Sequence, residues 1–252
     1  MFNKRHIVRT IAATASILAL SFTAACGSGQ STASNSADSN DITQQTYKPG
    51  KLTIATGQPA YEPWVMNDKP ESGEGYEAAV AYAVADKLGF KKSDVVWTRT
   101  AFDTAIAPGA KDWDFNIQQF GITDERKKAV DFSSSYYNDS QSVVVKKDSK
   151  FANATKVSDL KDATVGVMVG TLAYDYAKAN IKDDIQTFND DAALAQALDA
   201  GQIDALVTST VECVYMVQSE QVKDAKVLGR LPDSEDKSGM GIVLPKDSKL
   251  TA

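Results

Sequence analysis

Short apolar runs alternate with amphipathic stretches along this chain, and the alternation runs through twice, which restricts the fold more than any single motif does. Residues 51–56 alternate as a strand, and residues 76–88 form an alanine-rich helix with Val80, Val84 and Leu88 four apart, ended by Gly89. Residues 94–98 read as a second strand, 102–107 as a short helix before Pro108-Gly109, and 114–118 as a third strand. After the valine run at 143–145 the order restarts: strand 165–169, helices 172–180 and 192–199, strand 205–207. Strand and helix in turn imply parallel strands joined by helical crossovers, so the expectation is two α/β units in series. A last strand at 239–244 has no helix after it, so either a further helix belongs beyond residue 252 or the strand returns to complete the first unit.

The N-terminus reads as an export signal. Lys4, Arg5 and Arg9 precede an apolar run at 11–20, and small residues lead to Cys26. That run spans ten residues, against the roughly 20 that a helix needs to cross a bilayer. Ala24-Ala25-Cys26-Gly27-Ser28 is similar to a bacterial lipoprotein box, with Thr23 where that pattern has leucine. Cys26 is then either the lipid acceptor or an incidental residue beside an ordinary cleavage point. The following residues favour the lipid, because 27–47 are almost free of apolar side chains and read as a flexible tether.

Cleavage ahead of Cys26 removes His6, the single histidine. Without imidazole no Ser-His-Asp or Cys-His nucleophile can be assembled, and histidine-built zinc or iron sites are excluded. No cofactor and no metal are expected. Cys213 sits in an apolar helical stretch and reads as a small buried hydrophobe. Loss of the three basic signal residues from 27 leaves 24 against 33 acidic ones, a charge of −9, which argues against nucleic acid as a partner.

An ordered series of motifs carries a family resemblance. It runs through Leu52-Thr53-Ile54-Ala55-Thr56, Tyr61-Glu62-Pro63-Trp64, Gly75-Tyr76-Glu77, Phe102-Asp103, Gly121-Ile122-Thr123-Asp124-Glu125-Arg126 and Val130-Asp131-Phe132-Ser133 with Tyr136-Tyr137. It continues through Asp159-Leu160-Lys161, Val165-Gly166-Val167, Gly170-Thr171, Gly201-Gln202-Ile203-Asp204-Ala205 and Gly241-Ile242-Val243. In this order the chain resembles the polar-amino-acid type (family 3) of bacterial extracytoplasmic solute-binding protein, the receptors of ABC importers. The resemblance implies an α/β, two-lobed periplasmic-binding-protein-like fold of type II, each lobe a mainly parallel sheet flanked by helices, joined by two crossing hinge strands. The expected organisation is a lipoprotein signal peptide at 1–25, a tether from acylated Cys26 at 26–49, lobe one at 50–139 plus 240–252, and lobe two at 143–235. The crossing strands are expected near 140–145 and 237–242, and the cleft between the lobes closes on its ligand.

The site residues follow from that match. Arg126 offers a planar fork that can hold a carboxylate by two charge-assisted bonds, and the backbone N–H groups near Gln119 and Gly121 are expected to point at the same group. Thr171 precedes a helix and can both cap it and meet the anion. Tyr61, Phe102 and Trp64 stand where the family sandwiches the ligand, although Trp64 follows a proline and can pack under its loop. Glu77 stands at a usual aspartate and reads as a helix cap. Gln118 and Gln119 place two amides where the family has small residues, and Gly121 lacks the family's hydroxyl.

One departure matters for the ligand. The family's lobe-two aspartate, which grips the α-ammonium, is Ser209 here. A charged hydrogen bond contributes roughly 1.5–3 kcal/mol, so this loss weakens the grip on a zwitterion unless another acid compensates. Glu212 can do so, or it can close a capping box with Ser209.

The resemblance implies a monomeric, lipid-anchored receptor on the outer face of the cell membrane that captures a small carboxylate-bearing solute, an amino acid or derivative. It would deliver this solute to the permease and ATPase subunits of an ABC importer, without catalysis. Two alternatives stand beside it. One is a dehydratase on the same fold, for which no paired carboxylates are expected in the cleft; the other is a ligand sensor.

Overall fold

The computed structural model describes residues 41–251. The expected signal peptide, Cys26 and the first part of the tether lie outside the described residues. Residues 41–49, expected to belong to the tether, are ordered. A short 3-10 helix, Ile42–Gln44, is capped by Asp41, and Thr46 is buried. The Asp114 carboxylate accepts from the Tyr47 N–H at 2.5 Å and the Thr53 N–H at 2.7 Å, which ties this segment to the first strand.

Among the described residues ten strands make two five-stranded sheets, both within one compact unit. Sheet one runs in the order β2 (Val95–Arg99), β1 (Leu52–Thr56), β3 (Phe115–Asn116), β10 (Met240–Pro245), β4 (Val130–Tyr137). Sheet two runs β7 (Gln186–Phe188), β6 (Val165–Met168), β8 (Ala205–Ser209), β5 (Gln141–Lys146), β9 (Ala225–Arg230). Each is mixed in the same way. β1 pairs in parallel with β2 and β3, and β6 with β7 and β8, while β10 and β5 run antiparallel to their neighbours. β1, β6 and β8 are buried along their whole length, as strands covered on both faces must be.

β4, β7 and β9 were not legible as strands. β4 carries Ser133-Ser134-Ser135 through its middle, and β7 and β9 are edge strands with half-buried or exposed side chains, so none shows a clean apolar run. The terminal strand returns to sheet one, where β10 fills the gap between β3 and β4. The chain therefore passes between the sheets twice, through residues 138–140 and 231–239. Both crossings lie ahead of their expected positions near 140–145 and 237–242, since β5 and β10 belong wholly to their own sheets.

Helices cover each face. Helix α1 (Tyr76–Lys87) buries Ala78, Ala81 and Ala85, small enough to bring the helix axis close to Leu52 and Ile54, while Val80, Val84 and Leu88 pack at the margin. The alanines, not the valine stripe, form its deepest face. Gly75 starts this helix at φ 101°, a backbone conformation that L side chains rarely adopt. Helix α2 (Phe102–Ile106) with Trp113 and Phe120 covers the other face of sheet one. On sheet two, α3 (Leu172–Asn180) packs against one face, and α4 (Asp191–Asp199) and α5 (Thr210–Gln218) pack against the other, with Cys213 buried among them. The loops that follow β3 and β6, with the starts of α3, α4 and α5, are thereby aimed at one shared cleft.

Candidate functional site

Between the two sheets lies a cavity of about 70 Å³, lined from both sides. From sheet one come Tyr61, Phe102, Gln118, Gln119, Gly121, Arg126 and Met240; from sheet two come Gln141, Met168, Thr171, Leu172, Ala173, Asp191, Thr208, Ser209 and Glu212. Asp139 and Asp236, on the two crossings, close its hinge side.

Arg126 begins the short 3-10 helix Arg126–Lys128, and Thr123 Oγ1 accepts from its backbone N–H at 3.1 Å. Its Nη1 donates to Gly121 O at 2.7 Å and its Nη2 to Gly170 O at 2.9 Å, so the guanidinium touches both sides of the cleft. Cζ lies 5.6 Å from the centre of the Phe102 ring, which stacks in turn on Phe120 at 4.5 Å. Burial lowers the pKa of Arg126, while the charges of Asp175 and Asp236 act in the opposite direction. Two donors are engaged with carbonyls, and the rest of the five-donor fork is available to a ligand.

Gly121 explains how the walls approach so closely. A Cβ there would stand 2.5 Å from Leu172 Cδ1 and 2.8 Å from Asp236 Oδ2, so a serine-sized side chain of the family pattern would push these two side-chain ends aside. Thr171 caps α3, accepting from Tyr174 N at 3.2 Å and donating to Met168 O at 2.7 Å, while still lining the cavity. Tyr61 is half-buried, and its hydroxyl accepts from Ala192 N across the cleft at 3.4 Å. Tyr215 on α5 also donates to the Glu62 carboxylate from the far side.

Three expectations need correction. Trp64 is 1% exposed, packs edge-on against Tyr76 and Tyr137 at 5.9 and 5.3 Å, and is absent from the cavity lining. It belongs to the interior beneath its loop. Glu77 is not a helix cap: it is 0% exposed, and its carboxylate accepts from Gln119 N at 2.8 Å, from Gln119 Nε2 and from the Tyr136 hydroxyl. That pins Gln119 at φ 51° and occupies the backbone N–H expected to meet the ligand. Finally, paired carboxylates do line the cleft.

The pair is Asp191 and Glu212, 6% and 7% exposed. Thr208 Oγ1 lies 2.9 Å from Glu212 Oε2 and 3.3 Å from Asp191 Oδ1. Only half of the expected capping box forms: Ser209 Oγ accepts from Glu212 N at 3.2 Å, but the Glu212 carboxylate turns to Thr208. Burial raises Asp191 to about 6, and burial together with the Asp191 charge raises Glu212 well above the usual carboxylate range. Asp139 and Asp236 are also raised, chiefly by burial. Asp139, Asp191 and Asp236 were missed from sequence. Asp190-Asp191 ahead of an apolar helix was a signal, since only one of two adjacent acids can cap, and Asp190 does so by accepting from Ala193 N at 2.8 Å.

Stability should therefore fall with rising pH. Glu77 is pushed up to about 7 by burial, against the pull of its three donors. A carboxyl raised on folding binds its proton more tightly in the folded state, so its contribution is complete below the ordinary value of about 4.3 and is lost as pH rises through about 7. Across that window the loss is on the order of 4 kcal/mol for Glu77. Urea unfolding at pH 5, 6, 7 and 8 should show this decline, and Glu77→Gln should flatten it.

Comparison with known proteins supplies the context. The family model of bacterial extracellular solute-binding proteins, family 3, matches residues 52–209. The L-arginine-binding protein of Pseudomonas aeruginosa is 28% identical over 81% of this chain and 78% of its own length. The glutamine-binding protein of Geobacillus stearothermophilus is 32% identical over 81% of this chain and 82% of its own. Among solved structures, an ancestral arginine-binding protein bound to arginine superposes with a TM-score of 0.67 at 31% identity, covering 80% of this chain and 88% of that one.

Proposed function

Given that the chain belongs to the bacterial extracellular solute-binding proteins, family 3, we propose that it is the receptor of an ABC importer and that its cleft takes a small amino acid or derivative by the carboxylate. The observation that carries this reading is Arg126, held at the cavity wall by Gly121 O and Gly170 O with donors to spare and the Phe102 ring beside it. Relatives named for arginine and for glutamine share only the amino-acid backbone as ligand chemistry, and the carboxylate is the part a guanidinium grips.

In this reading Tyr61 and Phe102 wall the ligand, and the start of α3 at Thr171 supports the anion from the other side. Contacts reaching across the cleft, Arg126 to Gly170, Ala192 to Tyr61 and Tyr215 to Glu62, hold the closed form. The closed form is what the permease and ATPase subunits would recognise. The protein acts as a monomer without catalysis, tethered outside the cell membrane through lipid on Cys26 after loss of the signal peptide.

A dehydratase is the second reading, favoured by Asp191 and Glu212, two buried carboxyls whose pKa values are pushed upward and which could serve as acid and base. Conversion of a bound ligand into product on prolonged incubation would establish it.

Arg126→Ala should weaken amino-acid binding by about a hundredfold, the equivalent of two charge-assisted hydrogen bonds of roughly 1.5 kcal/mol each. Calorimetric titration reads this directly, and unchanged affinity would place the anchor elsewhere. Cys26→Ala should move the protein from the membrane fraction to the soluble extracytoplasmic fraction; persistence in the membrane fraction would refute the lipid tether.

A further inference from the structure

The cavity is far more acidic than the capture of a carboxylate requires. Four carboxyls line it, Asp139, Asp191, Glu212 and Asp236, and among the described residues Arg126 is the single basic side chain in the lining. Even with Arg126 set against Asp236, whose charge it feels, three acids face the space. A ligand that brought only a carboxylate would add to this excess, and an ordinary zwitterion would leave it unchanged.

Hydrogen-bond supply points the same way. Thr208 offers one hydroxyl proton to Asp191 and Glu212, and the Ser209 hydroxyl reaches Glu212 and Asp139, so two side-chain hydroxyls serve three carboxyls of the lining. Gln118 Oε1, Asp139 Oδ2 and Asp236 Oδ2 are buried acceptors of the same cavity with no partner. Every unmet group is an acceptor, and a donor-rich cation satisfies them. A metal ion does not fit, because among the described residues no three carboxylates converge on one metal position.

We propose that Asp191 and Glu212, bridged by Thr208, form a subsite for a cationic group, and that the ligand is an amino acid bearing a second positive charge, of the diamino or guanidino class. This rests on the reading of the cavity as a carboxylate-binding amino-acid site, and it names the class that site selects. The pair stands in the lobe that lacks the family's aspartate at Ser209, so negative charge is present there but displaced by one helical turn along α5 and onto the start of α4.

Binding is then linked to protons. The groups facing the pair are Asp190 at the α4 start, Cys213 on α5, Asp139 on the crossing and the Tyr61 hydroxyl from the opposite wall, with Arg126 beyond. None of the near groups is cationic, and burial pushes the pKa values of Asp191 and Glu212 above the usual carboxylate range. A seated cation favours both ionised forms, so binding releases protons, and affinity rises with pH through about 6 and above.

The test is calorimetric titration of the purified protein with arginine, lysine, citrulline and glutamine in two buffers of different ionisation enthalpy at pH 6.5. Arginine or lysine should bind at least tenfold more tightly than citrulline or glutamine, with net proton release. D191N and E212Q should each reduce that preference to about threefold or less. If citrulline or glutamine binds as tightly as the cationic ligands, or if no protons are released, the inference is overturned while the carboxylate reading stands. If none of the four binds, both readings fall.

Discussion

A guanidinium leaves water only where its N–H groups find acceptors, and Arg126 meets that demand with one carbonyl from each side of the cleft. This one side chain therefore needs both sheets to be in register. Gly121 supplies one acceptor and, having no side chain, lets Leu172 and Asp236 approach. Gly170, at φ 74°, presents the other just before α3 begins. The Phe102 ring lies beside the guanidinium and is itself backed by Phe120, on which it stacks.

Around that fixed charge the cleft is built from two kinds of acid. Glu77 is an interior carboxyl whose oxygens are consumed by Gln119 and Tyr136, so it positions the loop after β3 and offers nothing to a ligand. Asp191 and Glu212 share one hydroxyl and keep acceptor capacity in hand. The distinction is one of donor supply: three donors reach Glu77, whereas Asp191 and Glu212 divide the Thr208 hydroxyl between them.

Much of the fold could be read in advance because periodicity is local. The run from Leu52 to Thr56, the Val165 strand and the Thr171-capped helix all announce themselves within a few residues. β4, with three serines at its centre, takes its strand identity from pairing with β10 across more than a hundred residues, which no local pattern contains. The site divides in the same way. Arg126 and Thr171 were expected at the cleft through the family resemblance and do line the cavity, whereas Asp139 and Asp236 meet it only because the two crossings lie side by side. Trp64 was misplaced because an aromatic after a proline looks alike whether it walls a ligand or fills a void beneath a loop. Glu77 and Asp191, both acids near a helix start, differ only in which donors reach them.

The central claim is that the cleft holds its ligand by a carboxylate on Arg126. It is tested most directly by titrating the protein with the tightest-binding amino acid found and with the same compound as its primary carboxamide. The account predicts that the amide binds at least about a hundredfold more weakly. An amide that binds as tightly as the free acid would contradict it.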